Sequence, residues 1–162
     1  MADITPLTFA RLQEAHLDAF LRLATDEHIR RYLLDGAIVD AEWARSELAR
    51  SDGLFEREGV GLWLVSLEDE PVGFAGFRVF EELEAEPQLL YALLERVTGR
   101  GFATMIAHWL IDEALQKGWS RVCAAVDEVN AASVRVLEKT GFVYRHSVEG
   151  SFGPTRLYAF TR

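Results

Sequence analysis

The chain has 162 residues, of which 49% are hydrophobic and 27% charged, with a formal net charge of −9. That length and apolar content suit one sizeable core and exclude wholesale disorder, and no apolar run approaches the roughly 20 residues that cross a bilayer. The acidic balance speaks against a nucleic-acid partner, whose phosphates need clustered Lys and Arg.

In chain order, Met1-Ala2-Asp3-Ile4-Thr5-Pro6 lacks the basic and apolar regions of a secretory leader, and a short strand is expected over residues 4–7. Thr8 reads as the cap of a helix carrying Leu12, Ala15, Ala19, Phe20 and Leu23 on one face. A second short helix fits residues 26–34, with Ile29, Tyr32 and Leu33 together and Gly36 beyond its end. Asp40 caps a third, which turns Trp43 and Leu48 inward and runs to about Arg50.

The pattern then becomes strand-like. Residues 61–67 and 72–80 form the arms of a hairpin around Glu68-Asp69-Glu70-Pro71. The acidic stretch Glu81-Glu82-Leu83-Glu84-Ala85-Glu86 reads as a solvated loop before a strand over residues 88–94. A glycine turn and a long helix over residues 101–117 follow, stopped at Gly118. Residues 121–126 form a buried strand, and a helix over residues 130–139 ends with Gly141 in the position after its cap. Two closing strands, residues 142–148 and 156–161, flank a Gly153-Pro154 turn. With no repeat or linker, residues 1–162 read as a single domain of the mixed α/β class with at least one parallel crossover.

Several residues read as structural. Trp63, Phe74, Phe77 and Trp109 belong to the core, and Cys123 is a small buried hydrophobe that, as the sole cysteine, makes no intrachain disulfide. His108 on the long helix is a surface or packed residue. His16, His28, His108 and His146 share no ligand spacing with one another or with Cys123, so no metal is expected. These features point to a cytoplasmic protein with no membrane partner.

The segment most informative about function is Leu93-Leu94-Glu95-Arg96-Val97-Thr98-Gly99-Arg100-Gly101-Phe102-Ala103-Thr104. Gly99 and Gly101, between a strand and a helix, let backbone N–H groups approach a ligand, and the helix N-terminus adds unpaired donors and a favourable dipole for an anion. Arg96 and Arg100 add positive charge to an acidic chain. A tight turn with two solvated arginines would look the same. A dinucleotide site, and with it an oxidoreductase, fits poorly: Thr104 stands at the third glycine position, and Asp127 lies too far along for the ribose acid.

A CoA pyrophosphate is the better match. Arg96-Val97-Thr98-Gly99-Arg100-Gly101 resembles the Arg/Gln-x-x-Gly-x-Gly/Ala signature of the GNAT superfamily of N-acetyltransferases, and Gly99 to Thr104 is similar to the form seen in its ribosomal-protein-alanine acetyltransferase-like branch. Asn130-Ala131-Ala132-Ser133-Val134-Arg135-Val136-Leu137-Glu138-Lys139-Thr140-Gly141-Phe142 resembles a second block of that branch, and Thr25 to Leu33 resembles its first helix pair more loosely.

The resemblance implies a mixed, mostly antiparallel sheet with a parallel splayed strand pair, flanked by helices. It implies acetyl-CoA as cosubstrate and a primary amine as acceptor, either a small molecule or a protein N-terminus, on a monomer or homodimer. Leu93 and Leu94 would meet the pantetheine and the oxyanion, residues 97–103 the pyrophosphate, and Asn130 the pantetheine arm. Where many members carry a tyrosine that protonates the departing thiolate, this chain has Leu137, and Ser133 one turn earlier is the substitute. Ser133 also fits an ordinary first-turn serine. Gln88 stands where the branch often has a glutamate base, leaving Glu86, two residues away on the same strand face, with Glu84, Glu95, Glu149 or a water as alternatives. With the tyrosine and glutamate replaced, a CoA-binding module without turnover is the alternative reading.

Overall fold

Three of the five helices begin on a side-chain cap in the computed structural model, which describes residues 6–162. The helices are α1 (Leu17–Thr25), α2 (Glu27–Leu33), α3 (Ala41–Glu58), α4 (Phe102–Gln116) and α5 (Ala131–Lys139). Asp26 caps α2 by accepting from the Ile29 N–H at 3.1 Å, and Asp40 caps α3 by accepting from Trp43 at 2.9 Å. Asn130 does the same for α5, accepting from Ser133 at 3.3 Å. That helix ends in a Schellman motif: Gly141, at φ 98°, donates to the Glu138 carbonyl and Phe142 to the Leu137 carbonyl.

Among the described residues seven strands share one sheet: β1 (Leu7–Arg11), β2 (Leu62–Leu67), β3 (Glu70–Phe80), β4 (Glu84–Leu93), β5 (Arg121–Asp127), β6 (Val143–Gly150) and β7 (Gly153–Thr161). Their order is β1-β2-β3-β4-β5-β7-β6, antiparallel throughout except for β4 and β5. The expected mixed sheet with one parallel pair is present.

Both faces of the sheet are covered, and β4 shows how. Leu89 and Leu93 join a core with Ile106, Leu110, Ile111 and Ala114 of α4, while Leu90 and Ala92 join a second core with Phe20, Leu23, Ile29 and Leu48 of the first three helices. The period-2 alternation of a strand feeds both layers from one segment. Each fully buried aliphatic or aromatic side chain contributes about 1.5–3 kcal/mol, so these two layers dominate stability. Trp63, Phe74, Phe77 and Cys123 are buried as expected, Trp109 stacks on Phe9 at 4.0 Å, and His108 is exposed.

Local readings fail where pairing or burial overrides propensity. The first strand is Leu7–Arg11 rather than residues 4–7, of which 4 and 5 lie outside the described residues. Thr8 is therefore no helix cap but pairs with Ser66 on β2. Helix α3 passes Arg50 and runs to Glu58, ending at left-handed Gly59. Past Arg50, Ser51 is buried in the helix and its Oγ accepts from the Leu62 N–H at 2.8 Å. The last hairpin turns at Ser151 and Phe152, with Gly153 and Pro154 already in β7. The acidic stretch is only partly loop: Glu84 and Glu86 lie in β4.

Candidate active site

The site begins where β4 and β5 part. They pair only at Gln88 with Cys123 and Leu89 with Ala124, and beyond that pair the strands diverge. The end of β4 is held from its other side, since the Leu94 N–H donates to the Val72 carbonyl at 2.9 Å. Pairing alternates along a strand, so the Leu93 amide turns to the side that β5 has left. The cleft that opens there has a volume of about 1130 Å³.

The glycine turn forms its mouth. Glu95–Val97 make a single 3-10 turn, and Gly99 and Gly101 follow at φ 74° and 84°. An added Cβ at either glycine would meet no protein atom within 4 Å, so the backbone there faces open space. Helix α4 starts on Gly101 with no side-chain cap and no acidic residue in its first turn. Its first N–H groups and the positive end of its dipole therefore face the cleft without a competing carboxylate. Val97, Thr98, Gly99, Gly101, Phe102, Ala103 and Thr104 all line the cleft. Arg96 and Arg100 do not: Arg96 pairs with Glu70, and Arg100 lies over the Phe102 ring at 4.8 Å. Leu93 lines the cleft, whereas Leu94 packs between the two cores.

On the opposite wall, α5 presents Asn130 and Ser133. The Asn130 side-chain oxygen caps the helix by accepting from the Ser133 N–H, and the Ser133 hydroxyl bonds no backbone group. Instead Ser133 Oγ accepts a hydrogen bond from the Tyr91 hydroxyl at 3.0 Å, across the gap between β4 and α5. Burial pushes the Tyr91 phenol up, and the bond to Ser133 only partly offsets this. Sequence reading missed this bond, although Tyr91 shares the period-2 register of Leu89 and Leu93.

Glu86 sits elsewhere. Its carboxylate pairs with Arg121 at 3.3 Å, accepts from the Cys123 thiol and does not line the cleft. Glu84 accepts from Arg145 at 2.7 Å and from the Gln88 amide at 2.8 Å. Burial would raise the Glu84 pKa, but the bonds from Gln88 and Arg145 outweigh it and hold the carboxyl below its usual value. Burial, with Glu86 beside it, pushes the Cys123 thiol up to about 11, so it stays protonated. Gln88 is buried as part of this cluster. Glu84, Glu86 and Cys123 lie close enough together to suggest a metal, but Arg121 and Arg145 already supply their countercharge.

Glu95 is exposed and lies 3.9 Å from His28. Of the sequence's base candidates only Glu149 faces the cleft, joined by Asp35, Glu82 and Asp127. Asp127 accepts from the Thr155 hydroxyl at 2.9 Å. Of the acids in the acidic stretch, then, Glu82 alone reaches the cleft, beside Leu83.

Residues 7–143 match the family model of the acetyltransferase (GNAT) domain. No curated protein sequence matches the chain significantly. Among solved structures, a Bordetella pertussis protein assigned to the GnaT acetyltransferase family superposes with a TM-score of 0.85 at 20% identity, covering 99% of this chain and 98% of its own. RimL, a ribosomal L7/L12 alpha-N-protein acetyltransferase in complex with coenzyme A, gives 0.82 at 18% identity, covering 98% and 95%. The aminoglycoside acetyltransferase AAC(6')-Ib, also with coenzyme A, gives 0.77 at 20% identity, covering 96% and 95%.

Proposed function

The chain belongs to the acetyltransferase (GNAT) domain family, and from that premise we propose that it acetylates the primary amine of a cationic acceptor, using acetyl-CoA. One observation carries the cosubstrate reading. The uncapped, acid-free N-terminus of α4 opens behind two glycines with clear space above them, at the mouth of a splayed parallel pair. That is a cradle for a pyrophosphate. We read residues 1–162 as one cytoplasmic enzyme domain; no helix among the described residues is long and apolar enough to cross a membrane.

Bound acetyl-CoA supplies a thioester carbonyl for the amine to attack. The residues from Val97 to Thr104 hold the phosphates, and Asn130 offers its side-chain N–H groups to the pantetheine. The outward Leu93 N–H meets the developing oxyanion, and the Ser133 hydroxyl meets the sulfur as it leaves. Glu149 is better placed than Glu86 to take the amine proton, directly or through water, because it lines the cleft.

At 100 times its dissociation constant, acetyl-CoA should stabilise the fold by about 2.7 kcal/mol. For a chain of this size that raises Tm by roughly 5–10 °C, whereas NAD should not move it. Thiol release on a panel of a polyamine, an aminoglycoside and a short peptide then reports turnover. A Tm unmoved by acetyl-CoA would overturn the reading of the cleft; stabilisation without thiol release from any acceptor would leave a CoA-binding module.

The cationic acceptor rests on Asp35, Glu82, Asp127 and Glu149, which outnumber Arg135 and Lys139 along one cavity. Such a field raises the local concentration of a cation and weakens as salt rises. The double variant Glu82→Gln, Glu149→Gln should raise KM for spermidine several-fold at low salt, with KM for acetyl-CoA unchanged. Equal spermidine KM values in the two proteins at low salt would rule out this acceptor class.

A further inference from the structure

We propose that Tyr91 is a positioning residue for Ser133: its O–H occupies one lone pair of Ser133 Oγ, which directs the serine proton toward the sulfur of the departing thiolate. The inference rests on the cosubstrate reading above and adds to it a residue on the opposite wall.

A serine in the first turn of a helix ordinarily folds its hydroxyl back on its own backbone. Here the hydroxyl makes no bond to backbone: the Ser133 N–H is taken by the Asn130 side chain, and Oγ reaches out of the helix. It meets Tyr91 Oη at 3.0 Å. Both residues line the cleft, one from β4 and one from α5, so the bond spans the gap where a pantetheine arm would end. The phenol is largely enclosed, and its raised pKa keeps it protonated, and hence a fixed donor, throughout the neutral range. A hydroxyl that accepts from a fixed donor has its own proton free for a third group.

When the C–S bond breaks, its electron pair stays on sulfur, and the Ser133 O–H is the donor aimed at it. No proton need move within the Tyr91–Ser133 pair for the thiolate to be stabilised.

The test uses CoA itself and needs no acceptor. The thiol of enzyme-bound CoA is titrated by its ultraviolet thiolate absorbance in the wild type, Ser133→Ala, Tyr91→Phe and the double variant. A hydrogen bond to the thiolate lowers the bound thiol's pKa, so Ser133→Ala should raise it by about one pH unit. Tyr91→Phe should raise it by roughly half as much, and by nothing further once Ser133 is alanine. In turnover, Tyr91→Phe should lower kcat several-fold with KM for acetyl-CoA unchanged. A purely structural role would instead shift Tm and leave the bound thiol alone. If Tyr91→Phe titrates like the wild type, or its effect persists in the Ser133→Ala background, the positioning role is overturned while the cleft assignment stands. A wild type that binds no CoA overturns both.

Discussion

Replacing Gly101 by glutamate is expected to weaken acetyl-CoA binding by about 100-fold or more, with the fold retained. Gly101 is at φ 84°, where any L side chain is strained by about 1 kcal/mol. No protein atom lies within 4 Å of the added Cβ, so the side chain has room inside the protein itself. The space it enters is the space in front of the α4 N-terminus, where the phosphates would lie. Two like charges near 4 Å repel by about 4 kcal/mol at the effective dielectric of a protein surface, more than the roughly 2.7 kcal/mol that a 100-fold loss requires. Gly101→Ala carries the strain without the charge and should lose about tenfold or less. Calorimetric titration of both variants decides the matter: a folded Gly101→Glu protein that binds acetyl-CoA normally would remove this loop from the site.

Gly76→Ala should cost roughly 3 kcal/mol of folding stability, near the top of the range for overpacking. Gly76 pairs with Leu62 across the β2–β3 ladder at φ 152°, and a Cβ there would stand 1.9 Å from the Gly61 carbonyl oxygen and 2.9 Å from Leu62 Cα. That carbonyl cannot retreat freely, since it accepts from the Phe77 N–H at 2.9 Å. The neighbours are backbone, not the ends of flexible side chains, so relief means breaking the ladder. Urea unfolding should show a lower midpoint at an unchanged slope; an unchanged midpoint would mean the strands part at little cost.

The sequence made the Gly99–Gly101 turn legible because an anion cradle needs glycines at a fixed offset from a helix start, and residue identity alone records that. The order of strands and helices after residue 60 was legible for a similar reason, as period 2 and period 3.6 are local properties. Gly76 carries no such mark, because the carbonyl it must approach belongs to a residue 15 positions earlier. Glu86 shows the same limit. Its place two residues before Gln88 put it on a plausible strand face, but Arg121, met only when β5 docks, takes its charge. The Tyr91–Ser133 bond joins residues 42 apart and was invisible for the same reason. Thr8 departs from its expected place because pairing with β2 outweighs a cap signal, and α3 passes Arg50 because Ser51 is buried against β2, a contact no local pattern records.

The brevity of the β4–β5 ladder has a mechanical consequence. Strands β1 to β4 form one plate and β5, β7 and β6 another, and the backbone ladder between them is two residue pairs long, with Glu84 and Glu86 adding side-chain bonds at one end. Each plate is internally well laced, so relative motion concentrates at that seam, where opening breaks few hydrogen bonds. A pantetheine stem laid against the free edge of β4 would act as a missing strand, bonding to amides that otherwise face water. Loading the cosubstrate in this way would complete the sheet as well as arm the chemistry, and slow amide exchange along the outer half of β4 would then be a property of the complex rather than of the free chain.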